Sequence, residues 1–418
     1  MRRRGMQILV HRGANQIGGC ITEIRSKNAR IIIDVGAELP GSESSSSASV
    51  NVNEITKGCD GVLITHYHGD HIGEYKYIAD GVNTYMGEQA KEVFLILQEK
   101  LSEFSEISNA TKEDVEKVRN FIPLKQGESF DIKDMTITPI RTDHSAFDSY
   151  MYLIEADGER ILHTGDYRTH GAVGKGTPKA LKAIVAKDKL DALIIEGTML
   201  ARPDENVISE FKLQKDAAEL IAKKKYVFIH CGSTNIDRIA SFYHANKSVG
   251  KRLFVHDGFQ DEILKYVTKS SSHHTTYYDF SDAKNYSKEL YNQMKRDGFC
   301  LLLRETMLAS RSGLYKLTTS KNFKDSTFIF SQWKGYLEGK NRNEELIKAM
   351  PKEYRYLHTS GHATKSTLID TCNLLKPGVI IPIHKEKSSS FNKLKLPYRV
   401  VPLSDNQVYD VASGCLIF

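Results

Sequence analysis

The chain has 418 residues, 40% of them hydrophobic, and carries 58 Lys and Arg against 52 Asp and Glu, for a formal net charge of +6. That length allows two domains or one large domain with an insertion, and the modest basic excess permits a polyanionic partner without requiring one. No apolar run reaches the ~20 residues that span a bilayer, and the six cysteines are scattered without a C-x-x-C pair. These features predict a soluble, cytoplasmic protein with no membrane contact, whose cysteines are core thiols.

Apolar patterning predicts β-strands over 7–10, 20–24 and 29–35, and helices over 88–106 and after Thr111. The serine-rich segment 41–50 lacks core-forming residues, which predicts a surface loop. A second β-rich block over 135–168 contains two strands joined at Asp157-Gly158, a dipeptide typical of tight hairpin turns. From about residue 211 helices and strands alternate, which predicts a parallel sheet in a separate, inserted domain.

Three histidines and an aspartate follow the apolar run 62–64 within six residues: His66, His68, Asp70 and His71. Neutral imidazole and carboxylate are common ligands of zinc, manganese and iron. His66 and His68 alternate along an extended segment, so both side chains point the same way and can share one ion. A turn at Gly69 would direct Asp70 and His71 toward a second ion. The cluster therefore predicts a site for two metal ions.

Further candidate ligands follow apolar strands elsewhere in the chain: His144, Asp166 and His384. Each alone is weak evidence, because histidines and Gly-Asp turns are common at strand ends. Together with the four residues of the cluster they give seven candidate ligands for two metal ions. His66, His68 and His144 would form one group and Asp70, His71 and His384 a second, with Asp166 bridging both ions.

These motifs resemble those of a known enzyme superfamily. His66, His68, Asp70 and His71 form an H-x-H-x-D-H pattern similar to the second motif of the metallo-β-lactamase superfamily, in which Asp34, His144 and Asp166 match the first, third and fourth motifs. Three further positions resemble β-CASP nucleases, most closely the ribonuclease J family: Glu196, His362 and His384. The resemblance covers nearly the whole chain, without the C-terminal domain usual in ribonuclease J.

The resemblance implies an α/β fold class, in which a metallo-β-lactamase αββα sandwich carries an inserted β-CASP α/β domain with a parallel sheet flanked by helices. The sandwich would be formed by residues 1–202 and 354–418, and the insertion by 203–353. Two divalent metal ions per chain are expected, zinc or, as the alternative, manganese. Their ligands would be the seven residues His66, His68, Asp70, His71, His144, Asp166 and His384.

The activity implied is metal-dependent hydrolysis of single-stranded RNA by a two-metal mechanism with a bridging hydroxide, as an endonuclease, a 5′-to-3′ exonuclease or both. The residues expected to take part in catalysis are Asp70, His362, Asp34 and Glu196, and those expected to bind substrate phosphate are Ser233, Asn235, Ser360, Gly361 and His362. The alternatives are hydrolysis of a lactone, lactam or thioester and a DNA-directed β-CASP nuclease. Both a monomer and a homodimer remain open.

Overall fold

The computed structural model describes residues 5–39, 50–103, 110–202, 207–250, 252–272, 275–304, 314–339 and 342–417. The serine-rich segment predicted to be a surface loop lies almost wholly outside these ranges. The chain divides into two compact units, one formed by Met1–Asn206 with Gly361–Phe418 and the other by Val207–Ser360. Among the described residues, every helix is too short or too polar to cross a bilayer.

The first part of the first unit contains strands β1 (Gln7–Arg12), β2 (Ile21–Arg25), β3 (Arg30–Ile33), β4 (Gly61–Ile64), β5 (Thr84–Gly87), β6 (Ile122–Leu124), β7 (Phe130–Ile132), β8 (Met135–Thr142), β9 (Ser149–Ala156), β10 (Glu159–His163) and β11 (Ala192–Glu196). Its helices are α1 (Val52–Thr56), α2 (Gly69–Ile72), α3 (Glu88–Ser102), α4 (Lys112–Arg119) and α5 (Gly176–Ile184).

The second unit contains strands β12 (Tyr226–His230), β13 (Leu253–His256), β14 (Lys284–Asn285), β15 (Phe299–Leu303), β16 (Ser326–Phe330) and β17 (Arg355–Tyr356), with helices α6 (Glu210–Ala222), α7 (Ile236–Ser248), α8 (Gly258–Ser271), α9 (Lys288–Asp297) and α10 (Glu344–Ala349). The chain then returns to the first unit through α11 (Lys365–Leu375) and strands β18 (Val379–Ile383), β19 (Arg399–Val400), β20 (Val408–Asp410) and β21 (Cys415–Ile417).

The first unit is built on two sheets. An eight-stranded sheet has the order β21-β20-β1-β2-β3-β4-β5-β6, and a seven-stranded sheet has the order β19-β18-β11-β10-β9-β8-β7. Buried side chains from both sheets form one core between them, including Ile8, Ile33 and Leu63 from the first and Ile154 and Ile194 from the second. Helices cover the outer faces, with α3 against β5 and β6 and with α5 and α11 over the seven-stranded sheet. The predicted αββα sandwich is confirmed.

Local sequence explains two features of this unit. Asp157 and Gly158 both have positive φ angles, 55° and 77°, as a two-residue hairpin turn between β9 and β10 requires. Helix α4 begins with a capping box: the Thr111 side chain accepts a hydrogen bond from Asp114 N, and the Asp114 carboxylate accepts one from Thr111 N. Both elements form where the sequence pattern predicts them.

The second unit contains a six-stranded sheet of order β14-β13-β15-β12-β16-β17, in which all five strand pairs are parallel, as the alternating pattern predicts. Its core is rich in aromatic residues, among them Phe228, Phe299 and Phe330. The unit extends beyond residue 353, the expected end of the inserted domain, because Arg355 and Tyr356 pair with Ile329 and Phe330 as the edge strand.

Several candidate site residues of the first unit lie at the carboxyl ends of strands that run parallel to one another within their sheet. Asp34 follows β3, which is parallel to β4, the strand before the cluster that starts at His66. In the other sheet, β10, β11 and β18 are mutually parallel and lead to Asp166, Glu196 and His384. Parallel strands place their carboxyl ends along the same edge of a sheet, so these side chains are gathered by the topology.

Candidate metal centre

Three histidine nitrogens converge in the first unit. His68 Nδ1 lies 3.1 Å from His66 Nε2 and 3.0 Å from His144 Nε2. His66 and His144 are buried, and His68 is partly exposed. Because one imidazole nitrogen either donates or accepts a single hydrogen bond, this arrangement leaves at least one nitrogen without a matched partner. A cation shared by the three nitrogens would satisfy all of them.

A second group is formed by Asp70, His71, Asp166 and His384, whose ligand atoms lie within 4.8 Å of one another. His71 Nε2 is 3.2 Å from Asp166 Oδ2, and His384 Nε2 is 3.2 Å from Asp70 Oδ2. Asp166 Oδ2 is also 4.0 Å from Nε2 of His144, a member of the first group. The structure thus brings all seven expected ligands together, with Asp166 between the two groups.

The donor set fits a pair of divalent cations. Asp166 Oδ1 is buried and makes no hydrogen bond within the described residues, while the buried His71 Nε2 faces only the other Asp166 oxygen, at 3.2 Å. Burying a polar atom such as Asp166 Oδ1 without a partner costs about 1–3 kcal/mol, and a cation at this position would provide the missing interaction. Imidazole nitrogens with carboxylate oxygens suit zinc or manganese.

Asp34 connects the ligands of both groups. Its Oδ2 accepts a hydrogen bond from His71 Nδ1 at 2.7 Å, which leaves His71 Nε2 directed toward Asp166. The same carboxylate accepts hydrogen bonds from Thr65, through the backbone N–H and the hydroxyl. Thr65 Oγ1 is in turn 3.0 Å from His66 Nδ1. Partners of this kind fix the tautomer and orientation of a ligating imidazole.

Two further contacts orient ligating histidines, and the sequence did not predict this role for either residue. The carbonyl oxygen of Gly361, considered only as a phosphate contact, accepts a hydrogen bond from His144 Nδ1 at 2.6 Å. Thr198 Oγ1 lies 2.7 Å from His384 Nδ1 and 3.3 Å from the His384 carbonyl oxygen, so the hydroxyl donates to the carbonyl and accepts from the ring. Nothing in a Glu-Gly-Thr sequence signals this role, because it depends on a partner 186 residues away.

Gly36 allows the two loops behind the ligands to pack closely. A Cβ added at Gly36 would lie 1.8 Å from the carbonyl oxygen of Asp70, a distance that no side chain could accept. Gly36 N donates a hydrogen bond to the Cys20 carbonyl oxygen at 3.0 Å, and Cys20 N donates to the Asp70 carbonyl oxygen at 3.0 Å. The glycine two residues after Asp34 is therefore required for the loop that carries Asp70.

The three-histidine group is neutral. Burial lowers the pKa of His66 and His144 well below its ordinary value and lowers the pKa of His68 to about 4. Neighbouring imidazoles contribute to all three shifts in pKa, because two adjacent rings cannot both carry a proton without repulsion. At neutral pH these side chains therefore present the unprotonated nitrogen that a metal ion requires.

The second group of ligands, unlike the three-histidine group, contains charged side chains. Burial alone would lower the pKa of His71, but Asp166, Asp34 and Asp70 together hold it well above its ordinary value. Burial alone would raise the pKa of Asp70 and of Asp166, but nearby histidines hold both below the ordinary value of an aspartate. This pocket is thus rich in carboxylate charge, which attracts either a proton or a metal cation to His71.

His362 and Glu196 lie beside the ligands. His362 Nδ1 is 3.1 Å from Glu196 Oε2 and 3.4 Å from Asp166 Oδ2. The other oxygen of Glu196 accepts hydrogen bonds from the backbone N–H groups of Tyr167 and Ala363, at 3.0 and 3.2 Å. Burial alone would lower the pKa of His362, but Glu196 and Asp166 raise it. The His362 side chain is 21% exposed, against 14% for Asp70 and 2% for Asp166, so it can be reached from solvent.

The expected phosphate contacts are distributed over the two units. In the second unit, Asn235 Oδ1 accepts a hydrogen bond from Arg238 N, which is the ordinary capping of helix α7, and the Ser233 carbonyl oxygen accepts one from Gln260 Nε2. Ser360 is the last residue of the second unit. Gly361 and His362 belong to the first unit and contact the ligands or their neighbours.

Residues 29–231 match a protein-family model described as the β-lactamase superfamily domain. Curated relatives include "Ribonuclease J" of Sinorhizobium meliloti, 22% identical over 370 residues that cover 84% of this chain and 62% of the relative. "Ribonuclease J" of Helicobacter pylori is 20% identical over 395 residues that cover 90% of this chain and 55% of the relative. The chain therefore spans somewhat more than half the length of these relatives.

Among solved structures, one match is entitled "Crystal Structure of a Protein of Unknown Function from Enterococcus faecalis V583". Its TM-score is 0.70 at 19% sequence identity, and the match covers 97% of this chain and 99% of the other. Likeness at this identity supports the fold and carries no information on activity.

Proposed function

We propose that this chain, which carries a domain of the metallo-β-lactamase superfamily, is a metal-dependent hydrolase that cleaves phosphodiester bonds of single-stranded RNA. One observation supports the chemistry above the others: Asp166 Oδ2 lies 3.2 Å from His71 Nε2 and 4.0 Å from His144 Nε2, between the two groups of ligand atoms. The curated relatives named ribonuclease J support RNA as the substrate.

The seven ligands would hold two divalent ions, zinc or manganese. His66, His68 and His144 offer neutral nitrogens to one ion, and Asp70, His71 and His384 serve the other, with Asp166 shared. When bound, a pair of such ions activates water at neutral pH and neutralises the phosphodiester during in-line displacement. Asp34, Thr198 and the Gly361 carbonyl keep the ligating imidazoles in the required tautomers.

His362 is the candidate group for the leaving oxygen. Its Nδ1 donates to Glu196 Oε2, so the opposite ring nitrogen, Nε2, is the atom that can transfer or share a proton with substrate. The negative charge of Glu196 favours the protonated ring, and the two backbone hydrogen bonds to Glu196 hold the carboxylate in place. His362 would therefore protonate the departing oxygen or stabilise the charged transition state.

The β-CASP domain is proposed to be the inserted segment 203–353, most of which lies in the second unit, Val207–Ser360. Helix α7 starts at Ile236 directly after Ser233 and Asn235, and helix N-termini present backbone amides and a partial positive charge to phosphate. We include Ser233, Asn235 and Ser360 of the second unit and, separately, Gly361 and His362 of the first unit as proposed contacts for RNA phosphates. Replacing Ser233 or Asn235 by alanine should raise KM for RNA while leaving the metal content unchanged.

The direct test is cleavage of 5′- and 3′-labelled single-stranded RNA by the purified chain loaded with zinc or manganese. Substrates with 5′-hydroxyl, monophosphate and triphosphate ends, and a DNA strand of the same sequence, should be compared. We expect cleavage of RNA by the wild-type protein and none by Asp70→Asn, which retains RNA binding. Release of mononucleotides from the 5′ end would indicate an exonuclease, and internal fragments an endonuclease.

Two results would contradict the proposal. Metal-loaded wild-type protein that leaves every RNA intact but opens a lactone, lactam or thioester would indicate a small-molecule hydrolase. Equal or faster cleavage of the matched DNA strand would instead indicate a DNA-directed nuclease. Wild-type and Asp70→Asn protein should be compared at equal metal content, so that a loss of activity cannot be attributed to an empty site.

A further inference from the structure

Cys20 lies against the second group of ligands. Its Sγ, one ring nitrogen of His71 and one ring nitrogen of His384 all lie within 4.8 Å of one another. The Cys20 side chain is only 2% exposed, and it stands just after the turn formed by Gly18 and Gly19. The sequence gives no reason to select it, since six scattered cysteines without close spacing predict core thiols. Its position at the ligands is a property of the folded chain.

The backbone holds Cys20 firmly at this place. Cys20 N donates to the carbonyl oxygen of Asp70, and the Cys20 carbonyl oxygen accepts from Gly36 N, both at 3.0 Å. On the other side, a Cβ added at Gly13 would approach Cys20 Sγ and Cα to 3.2 Å, and Gly13 has a φ angle of 102°. The thiol is thus fixed by the loops that carry the metal ligands and by a close glycine contact.

The other buried cysteines have different surroundings. Cys300 Sγ lies 3.4 Å from Asn246 Oδ1, Cys59 Sγ lies 3.8 Å from the Gly61 carbonyl oxygen, and Cys372 packs in the apolar core under the seven-stranded sheet. Cys20 is buried as well. Its neighbours are instead the imidazoles of His71 and His384.

A separate observation points to a ligand at this position. Asp166 Oδ1 is buried and has no hydrogen-bond partner among the described residues, and the buried His71 Nε2 faces only the other Asp166 oxygen, at 3.2 Å. Two atoms that bind the same zinc ion in tetrahedral geometry, at about 2.3 Å for sulfur and about 2.1 Å for nitrogen, are about 3.6 Å apart. The ligand atoms of Cys20, His71 and His384 lie within 4.8 Å of one another, so binding of one ion by all three requires side-chain movement toward that distance.

We propose that Cys20 Sγ is an additional ligand of the ion held by His71 and His384, and that it makes this position selective for zinc over manganese. A thiolate is a soft ligand that favours zinc, whereas carboxylate and water favour manganese. Binding of the ion displaces the thiol proton. The inference rests on the proposed metal centre, but it does not depend on RNA being the substrate.

The test is the absorption spectrum of the full chain loaded with cobalt(II), which replaces zinc and gives a near-ultraviolet thiolate-to-cobalt charge-transfer band only when sulfur is bound. We expect the band in the wild type and in the control Cys59→Ser, and its loss in Cys20→Ser and Cys20→Ala. In zinc and manganese competition, the Cys20 variants should lose at least about tenfold in zinc preference at one of the two sites. Circular dichroism checks that each variant is folded.

The outcomes separate this inference from the proposed function. Cobalt bound by the wild type without a charge-transfer band would overturn the role of Cys20, whether or not the variants fold and whether or not RNA is cleaved. A charge-transfer band in a protein that cleaves no RNA would support Cys20 as a metal ligand and contradict only the proposal that RNA is the substrate. A protein that binds no cobalt would overturn the metal centre and the role of Cys20 together.

Discussion

His144 Nδ1 donates a hydrogen bond of 2.6 Å to the carbonyl oxygen of Gly361, a residue 217 positions later in the chain. The contact turns His144 Nε2 toward His68 Nδ1 and Asp166 Oδ2, at 3.0 and 4.0 Å. It also ties the three-histidine group to the turn that carries His362. The orientation of one expected ligand and the position of the candidate proton donor therefore depend on the same backbone segment.

Gly361→Ala should disturb this contact. An added Cβ would lie 2.5 Å from Ser145 Oγ and 3.2 Å from His144 Cε1, so the turn or the imidazole must move. We expect the affinity of the three-histidine group for zinc to fall by about tenfold or more, as when a partner that orients a ligating histidine is lost. Competition with a chromophoric chelator measures this affinity.

Gly176→Ala is the matched control, because a Cβ at Gly176 meets no atom within 4 Å. Equal zinc affinities for the two alanine variants and the wild type would show that the Gly361 turn does not position His144.

Thr198→Val should weaken metal binding by the second group of ligands, to which His384 belongs. Valine has nearly the shape of threonine, but it leaves His384 Nδ1 without the oxygen that lies 2.7 Å away. We expect metal affinity to fall by about 10–100-fold and activity to recover at saturating metal, because the substitution touches the orientation of His384 and no reacting atom. Thr198→Ser keeps the hydroxyl and should remain close to the wild type. A serine variant as weak as the valine variant would indicate a packing role instead.

Glu196→Gln and His362→Ala should each lower kcat by about 10²–10⁴-fold, the range of general acid catalysis, with metal content unchanged. Glutamine can still accept the hydrogen bonds from the Tyr167 and Ala363 N–H groups, but it removes the charge beside His362 Nδ1. If the two side chains act as one unit, the double variant should be no slower than His362→Ala alone. Multiplied losses in the double variant would show that they act independently.

His230 should make the stability of the second unit depend on pH. Burial lowers its pKa to about 4, and its neutral ring accepts a hydrogen bond from the Tyr315 hydroxyl at Nδ1 while Nε2–H donates to Gln332 Oε1 at 3.0 Å. The unfolded ring titrates near its ordinary pKa of 6.5, so the unfolded state binds more protons between pH 6.5 and 4. Stability is therefore fully present above pH 6.5 and is lost as the pH falls toward 4.

Between pH 7 and pH 5 the loss from this residue should be about 2 kcal/mol, from 1.36 kcal/mol per unit of pKa shift. Urea denaturation followed by the fluorescence of Trp333, the single tryptophan and a residue of the second unit, measures it. His230→Gln cannot titrate and should lack this part of the pH dependence. Parallel stability curves for both proteins would contradict the assignment.

Much of the architecture could be predicted from local sequence, because its signals are short-range. Asp157 and Gly158 form the expected hairpin turn since both adopt positive φ angles. The alternation of helices and strands after residue 211 produces the expected parallel sheet. The edge strand of the second unit was harder to predict. Arg355 and Tyr356 are exposed, so no buried apolar pattern marks them as a strand, and their place in the sheet follows only from their pairing with Ile329 and Phe330.

The sequence by itself determined which chemical groups stand at the strand ends: Asp34, His66, His144, Asp166 and His384 each follow a buried apolar run, and parallel strands bring such ends to one edge. Only the tertiary structure decided their orientation. Asp34 and His384 occupy left-handed backbone conformations, with φ of 62° and 49°, and Thr198, Gly361 and Cys20 reach the imidazoles across long chain separations. Hydrogen bonds and close loop contacts of this kind depend on distances that a residue pattern does not contain, so they could be found only once the chain was folded.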